Sequence, residues 1–220
     1  MASATDVLDR SILDAGSFFR LIAQNLAFHW SASPMELLMF AAFVFCFGFF
    51  AWALQGGFFT GTPDRNVGIT VTRILGLVCV FTQGTVLVRS LDGALQWPEI
   101  VALALYLAAL ALSLAAARAL RGRRLTLAFS SDTPRELIAH GPYRVIRHPF
   151  YTSYLLAWTA GPVATGEVWL LLTVLAMGAL YAVAARQEEA KFLNSSLSGA
   201  YRAYAASAGM FFPRLSRLLT

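Results

Sequence analysis

Two arginines and a histidine crowd into GPYRVIRHPFYTSY, residues 141–154, where Arg144, Arg147 and His148 stand between proline turns before the apolar run LLAW at 155–158. Glu188 and Glu189 follow a long apolar stretch, and Tyr201, Tyr204 and Pro213 close the series. Each residue type has a definite chemistry. A guanidinium matches a carboxylate with paired donors, an imidazole changes charge near neutral pH, and a carboxylate accepts donors or takes up a proton. By themselves Arg147 and His148 also read as an interface anchor whose side chains snorkel to headgroups. Neighbouring helical residues point about 100° apart, so one of Glu188 and Glu189 is expected to be solvated, and Glu188 is the one that continues the apolar arm. Tyr201 and Tyr204 share a helix face and suit either a binding role or an aromatic belt.

The composition says what surrounds these groups. Hydrophobic residues make up 58% of the 220 and charged residues 13%, against about a quarter charged in soluble domains. This is a membrane protein. Its net charge of +5 lies beside apolar spans rather than among exposed aromatics, which points to anionic lipid headgroups and away from nucleic acid. Cys46 and Cys79 sit inside apolar runs without ligand spacing, so no metal site is expected. No polar linker longer than the central Arg118 to Arg147 segment divides the chain, so a single membrane domain over 1–220 is expected: an N-terminal segment 1–33, three spans within 34–117, and a core of loop, hairpin and tail over 118–220.

In the first segment Leu8, Ile12, Ala15, Phe19, Ile22 and Leu26 recur at steps of four and three, the pattern of an amphipathic helix. Apolar runs at 34–54, 69–88 and 100–117 predict three spans. Runs at 151–164 and 168–185, separated by GPVATGE, predict two more in a tight hairpin. The fold class is therefore all-α integral membrane, with about five transmembrane helices and a helical C-terminal tail. Arg118, Arg121, Arg123, Arg124, Arg135, Arg144 and Arg147 between the third and fourth runs mark that loop as cytoplasmic, with the N-terminus outside and the C-terminus inside. Such a hairpin brings His148, Tyr151 and Glu188 to one membrane face. Ionisable groups at that depth should face a wet, protein-lined cavity.

The order Gly141-Pro142-Tyr143-Arg144, Arg147-His148-Pro149-Phe150-Tyr151, Glu188-Glu189 and Tyr201-x-x-Tyr204 before Pro213 resembles the isoprenylcysteine carboxyl methyltransferase and phospholipid methyltransferase superfamily. The series covers about a third of the chain. The resemblance implies an integral-membrane enzyme that binds S-adenosylmethionine at the cytoplasmic face and transfers its methyl group to a lipophilic or small acceptor: an isoprenoid carboxylate, a phospholipid amine or a thiol. It places Tyr143, Arg144, Arg147, His148, Pro149 and Tyr151 on one wall of the cofactor site and Glu188 and Glu189 on another, with Tyr201 and Tyr204 nearby. Within that reading His148 and Glu188 are the catalytic candidates. An arginine suits the methionine carboxylate, a glutamate the ammonium or ribose, and the Tyr151 ring the adenine or sulfonium.

Two positions depart from the family pattern. Ser153 stands where glycine is common, and the tail lacks the usual arginine before its final proline, leaving Arg202 or Arg214 to supply a cation. Two other readings fit the same architecture: an NADPH-dependent membrane reductase of the sterol-reductase type, and a non-catalytic membrane protein that keeps the fold. Heavy use of Ala, Leu and Arg points to a bacterial inner membrane.

Overall fold

The computed structural model describes residues 34–54, 59–60, 67–90, 96–121, 125–126 and 136–214. Among them are six α-helices: α1 (Pro34–Trp52), α2 (Val67–Ser90), α3 (Trp97–Ala119), α4 (Pro149–Thr165), α5 (Leu171–Leu193) and α6 (Ser198–Ser207). Two-residue strands, β1 (Phe59–Thr60) and β2 (Leu125–Thr126), pair in parallel. Short 3-10 turns at Gly141–Arg144 and Val168–Leu170 precede α4 and α5. The amphipathic helix expected within 1–33 lies outside the described residues.

The expectation of about five spans, with the last two in a tight hairpin, does not hold. Three helical segments among the described residues are long and apolar enough to cross a membrane: Val67–Ser90, Trp97–Ala119 and Val168–Leu193. They support an integral-membrane location. The apolar stretch of α1, Glu36–Trp52, is shorter, and α4 has 17 residues. An apolar run that short more often marks a helix buried in protein than one facing lipid. The surroundings of α4 supply the reason: it packs on α1, α2, α3 and α5, and Phe150, Tyr154, Ala157, Trp158, Ala160 and Ala164 are all buried. Its hydrophobicity matches neighbouring side chains, so no tight hairpin of two spanning helices results. The count behind the N-terminus-outside orientation falls with it.

The most extensive helix contact joins α3 to α4. Ala102, Ala109, Ser113 and Ala116 on α3 and Ser153, Ala157, Ala160 and Ala164 on α4 are buried at steps of three, four or seven. Small side chains at that spacing let two helix backbones approach closely, the usual basis of helix association in a bilayer. Ser113 and Ser153 fix the register through a 2.6 Å hydroxyl contact. Ser153 Oγ also donates to the Phe150 carbonyl at 2.7 Å.

A polar stitch crosses the interior. Pro162 lies inside α4 and has no N–H to give the Trp158 carbonyl four residues back. Gln83 of α2 replaces that donor: its Nε2 donates to Trp158 O at 2.9 Å and to Thr173 Oγ1 of α5 at 2.6 Å. A freed helix carbonyl at membrane depth needs such a substitute. Gly161 makes the approach feasible, because a Cβ there would overlap the Gln83 amide.

Turns set the two ends. Gly141 enters its 3-10 turn at φ 60°, and a Cβ there would stand 3.1 Å from that of Ala119. Gly166 ends α4 at φ 69°, a conformation that favours glycine. Trp97 and Trp169, at the starts of α3 and of the segment leading into α5, are exposed and mark one end of the bundle. His148 and Glu188 lie at the other.

Candidate active site

The residues of the 141–154 stretch are placed by their own backbone chemistry. Pro149 starts α4 directly after His148, and proline suits a first helical position because its missing N–H would have no helical partner there. Tyr151 therefore points back along the first turn toward the end of α5, where Glu188 and Glu189 sit in the last two turns. Tyr151 Oη donates to Glu188 Oε1 at 2.5 Å.

His148 lies between both carboxylates. Its Nε2 is 3.1 Å from Glu189 Oε1, and its Nδ1 is 3.4 Å from Glu188 Oε2. Neither glutamate is simply solvated: the exposures are 26% for Glu188 and 17% for Glu189. One histidine with two ring nitrogens can engage neighbouring residues that diverge by about 100°. Burial alone lowers the His148 pKa, but hydrogen bonds and charge from Glu188 and Glu189 outweigh it and leave the imidazole above its ordinary value. The two carboxylates thus favour the charged form of the ring.

Arg147 is committed elsewhere. Its Nε donates to Glu189 Oε1 at 2.8 Å, and its Nη1 donates to the carbonyls of Ala205 and Ala208 at 3.2 and 2.6 Å. These are terminal carbonyls of α6, which lack helical partners and attract cations. Arg147 thus ties Glu189 to the tail. Arg144 is exposed, and Pro149 is buried at the start of α4.

The tail is bound to the same stretch. Ile146 and Gly209 form a parallel bridge, Arg147 N donates to Gly209 O, and His148 N to Met210 O. Tyr204 Oη donates to the Tyr143 carbonyl at 2.7 Å, while Tyr201 stacks on Phe192 at 4.9 Å. Both tyrosines hold the tail against α5 and the 3-10 turn. Arg214, the cation considered for the tail, donates to Ala206 O, and Arg202 is exposed. Ser153 faces Ser113, not the ionisable cluster.

Three residues that were not among the sequence candidates, Tyr181, Phe211 and Tyr154, also shape the site. Tyr151 has His148 on one side at 5.6 Å and Tyr181 at 5.3 Å, both stacked nearly parallel, so its ring is built into a column and its hydroxyl is the part that acts on Glu188. Trp158 Nε1 donates to Tyr181 Oη at 3.0 Å. Phe211 meets both His148 and Tyr151 edge-on, and its carbonyl accepts from Thr152 Oγ1 at 2.8 Å. Tyr181 stands seven residues before Glu188, two turns along one helix face, a spacing that could have drawn attention to it. Phe211 carried no comparable signal. The third, Tyr154, is 3% exposed, and its hydroxyl has no hydrogen-bond partner among the described residues.

Residues 97–199 match the phospholipid methyltransferase family. The matched segment runs from the start of α3 into α6 and contains Tyr143, Arg144, Arg147, His148, Pro149, Tyr151, Glu188 and Glu189. It is thereby tied to the phospholipid and isoprenylcysteine methyltransferase superfamily. Tyr201, Tyr204 and Phe211 lie beyond the match. No curated protein matches the chain.

Proposed function

We propose that this protein transfers a methyl group from S-adenosylmethionine to a lipophilic or small acceptor at the membrane face carrying His148, Glu188 and Glu189. One observation carries the reading: within the family-matched segment, Arg147, His148, Tyr151, Glu188 and Glu189 form a cluster joined by hydrogen bonds and ion-pair contacts, part-buried at a helix mouth. That face also gathers Arg118, Arg121, Arg144, Arg186 and Lys191, which favours the cytoplasmic side.

The residues present fit this cofactor. Glu188 keeps acceptor capacity beyond its Tyr151 bond and is partly exposed, and the Tyr143 hydroxyl is buried without a partner among the described residues. Burial, with Tyr204 and Glu188 adding to it, raises the Tyr143 phenol above its ordinary value, so it stays protonated. Arg144, exposed at the rim, suits a carboxylate. When bound, S-adenosylmethionine supplies a methyl carbon already activated by a sulfonium leaving group. The chain then has to bind, align and exclude water rather than form a covalent intermediate.

His148 and Arg147 do not compete for that task. With its two ring nitrogens facing two carboxylates, His148 fixes their positions. Glu188 is the proton acceptor for an amine or thiol nucleophile, and a carboxylate nucleophile needs none.

Titration of the purified chain with S-adenosylmethionine and with NADPH tests the reading. Saturable S-adenosylmethionine binding, weakened in Glu188→Ala, is expected. NADPH binding with no response to S-adenosylmethionine would sink it in favour of a reductase. Binding of neither would favour a non-catalytic membrane protein.

A further inference from the structure

The Tyr154 hydroxyl stands in the protein interior with no hydrogen-bond partner among the described residues, and so does that of Tyr143. Their residues are 3% and 6% exposed. A buried hydroxyl left unpaired is costly unless a bound group supplies the partner. Both hydroxyls lie within the electrostatic reach of Glu188 and of each other. The Tyr154 ring is 6.3 Å from that of Tyr151, whose hydroxyl is on Glu188, and 5.7 Å from that of Tyr181. Three elements therefore present oxygen to one neighbourhood: the 3-10 turn through Tyr143, α4 through Tyr154, and the end of α5 through Glu188.

The charge of this neighbourhood decides what it accepts. Arg147 is taken up by Glu189 and the tail carbonyls, and the two His148 ring nitrogens face the glutamates. The Glu188 carboxylate and the two phenol oxygens remain able to accept, a set that suits a donor group with several N–H bonds. Resting on the methyl-transfer reading, we propose that Tyr154, Tyr143 and Glu188 form a three-oxygen seat for an ammonium group, with Tyr154 a binding residue of the site. The ammonium belongs either to the amino-acid end of the methyl donor or to an amine acceptor.

Tyr154→Phe removes one oxygen and keeps the ring. Because the lost hydroxyl is unpaired, the variant folds at least as stably as the parent, checked by its unfolding midpoint. Calorimetric titration of the full chain in detergent uses S-adenosylhomocysteine, which carries the ammonium, and 5′-methylthioadenosine, which lacks the amino-acid end. If the donor's ammonium occupies the seat, the variant binds S-adenosylhomocysteine about 10- to 100-fold more weakly, the worth of a hydrogen bond to a charged group. Its affinity for 5′-methylthioadenosine then stays unchanged. If the ammonium is the acceptor's, both affinities hold, and transfer of labelled methyl to phosphatidylethanolamine in mixed phosphatidylethanolamine and phosphatidylglycerol vesicles falls by a similar factor. Equal losses for both nucleosides, or unchanged affinities with no fall in labelled lipid, overturn the seat alone. A parent protein that binds neither nucleoside overturns the methyl-transfer reading and the seat with it.

Discussion

Gln83 offers a direct measurement of how this fold tolerates a proline in α4. Substituting Gln83→Leu removes the donor that reaches Trp158 O at 2.9 Å and leaves a carbonyl without a partner in the interior. It also removes Gln83 Oε1, which is buried without a partner among the described residues, so the single substitution combines a loss with a gain. A double-mutant cycle with Pro162→Ala separates them. Pro162→Ala restores a backbone N–H to the Trp158 carbonyl, so Gln83→Leu in that background leaves nothing orphaned there. The release of Oε1 and the missing proline ring are common to both sides of the cycle and cancel. Thr173 Oγ1 donates to Leu170 O at 2.7 Å, so it keeps its own donor satisfied throughout. The remaining coupling is one interhelical hydrogen bond in a membrane protein, about 1 kcal/mol. The assay is reversible unfolding of the four proteins in mixed micelles, followed by circular dichroism. A coupling below about 0.3 kcal/mol, the scatter expected of independent sites, would refute the argument that Gln83 repairs the proline break.

The remaining predictions concern the site and its supports. His148 has a pKa raised above 6.5 in the fold; its contribution to stability is therefore complete below about pH 6.5 and is lost as pH rises through the raised value. The unfolding midpoint of the parent should fall over that window relative to His148→Gln, which has no such group to titrate. Gly209→Ala places a methyl group against the Phe212 carbonyl, and should release the tail, read as faster proteolysis there and weaker S-adenosylmethionine binding. Ser153→Gly leaves Ser113 without its hydroxyl partner and should cost about 1 kcal/mol, with much of that recovered in the Ser113→Ala/Ser153→Gly double variant.

His148, Tyr151 and Glu188 do meet, but the sequence reached that meeting through a hairpin of two spanning helices that the fold does not have; what turn chemistry did mark was the start of α4 at Pro149. What could not be read was the use made of each donor. Arg147 looked as suitable for a ligand as Arg144, since nothing in the chain announces that α6 will end beside it with unpaired carbonyls. The span count failed for a related reason. An apolar run has the same composition whether it faces lipid or protein, and α4 is bounded by other helices on most sides. Ser153 shows the same blindness at one residue: as a departure from glycine it read as a change in the site, whereas its hydroxyl is spent on Ser113. The tail contributes through backbone atoms at Gly209, Met210 and Phe211, which carry little side-chain signature.

The ring column has an optical consequence. Trp158 is 3% exposed and joined through Tyr181 to Tyr151 and Glu188, whereas the other described tryptophans, Trp52, Trp97 and Trp169, are 56%, 79% and 48% exposed. Quenchers dissolved in the lipid or detergent phase should therefore darken those three and spare Trp158. With Trp30, which lies outside the described residues, replaced by Phe, the emission that survives comes from Trp158, whose indole reaches the ionisable cluster through Tyr181 and Tyr151.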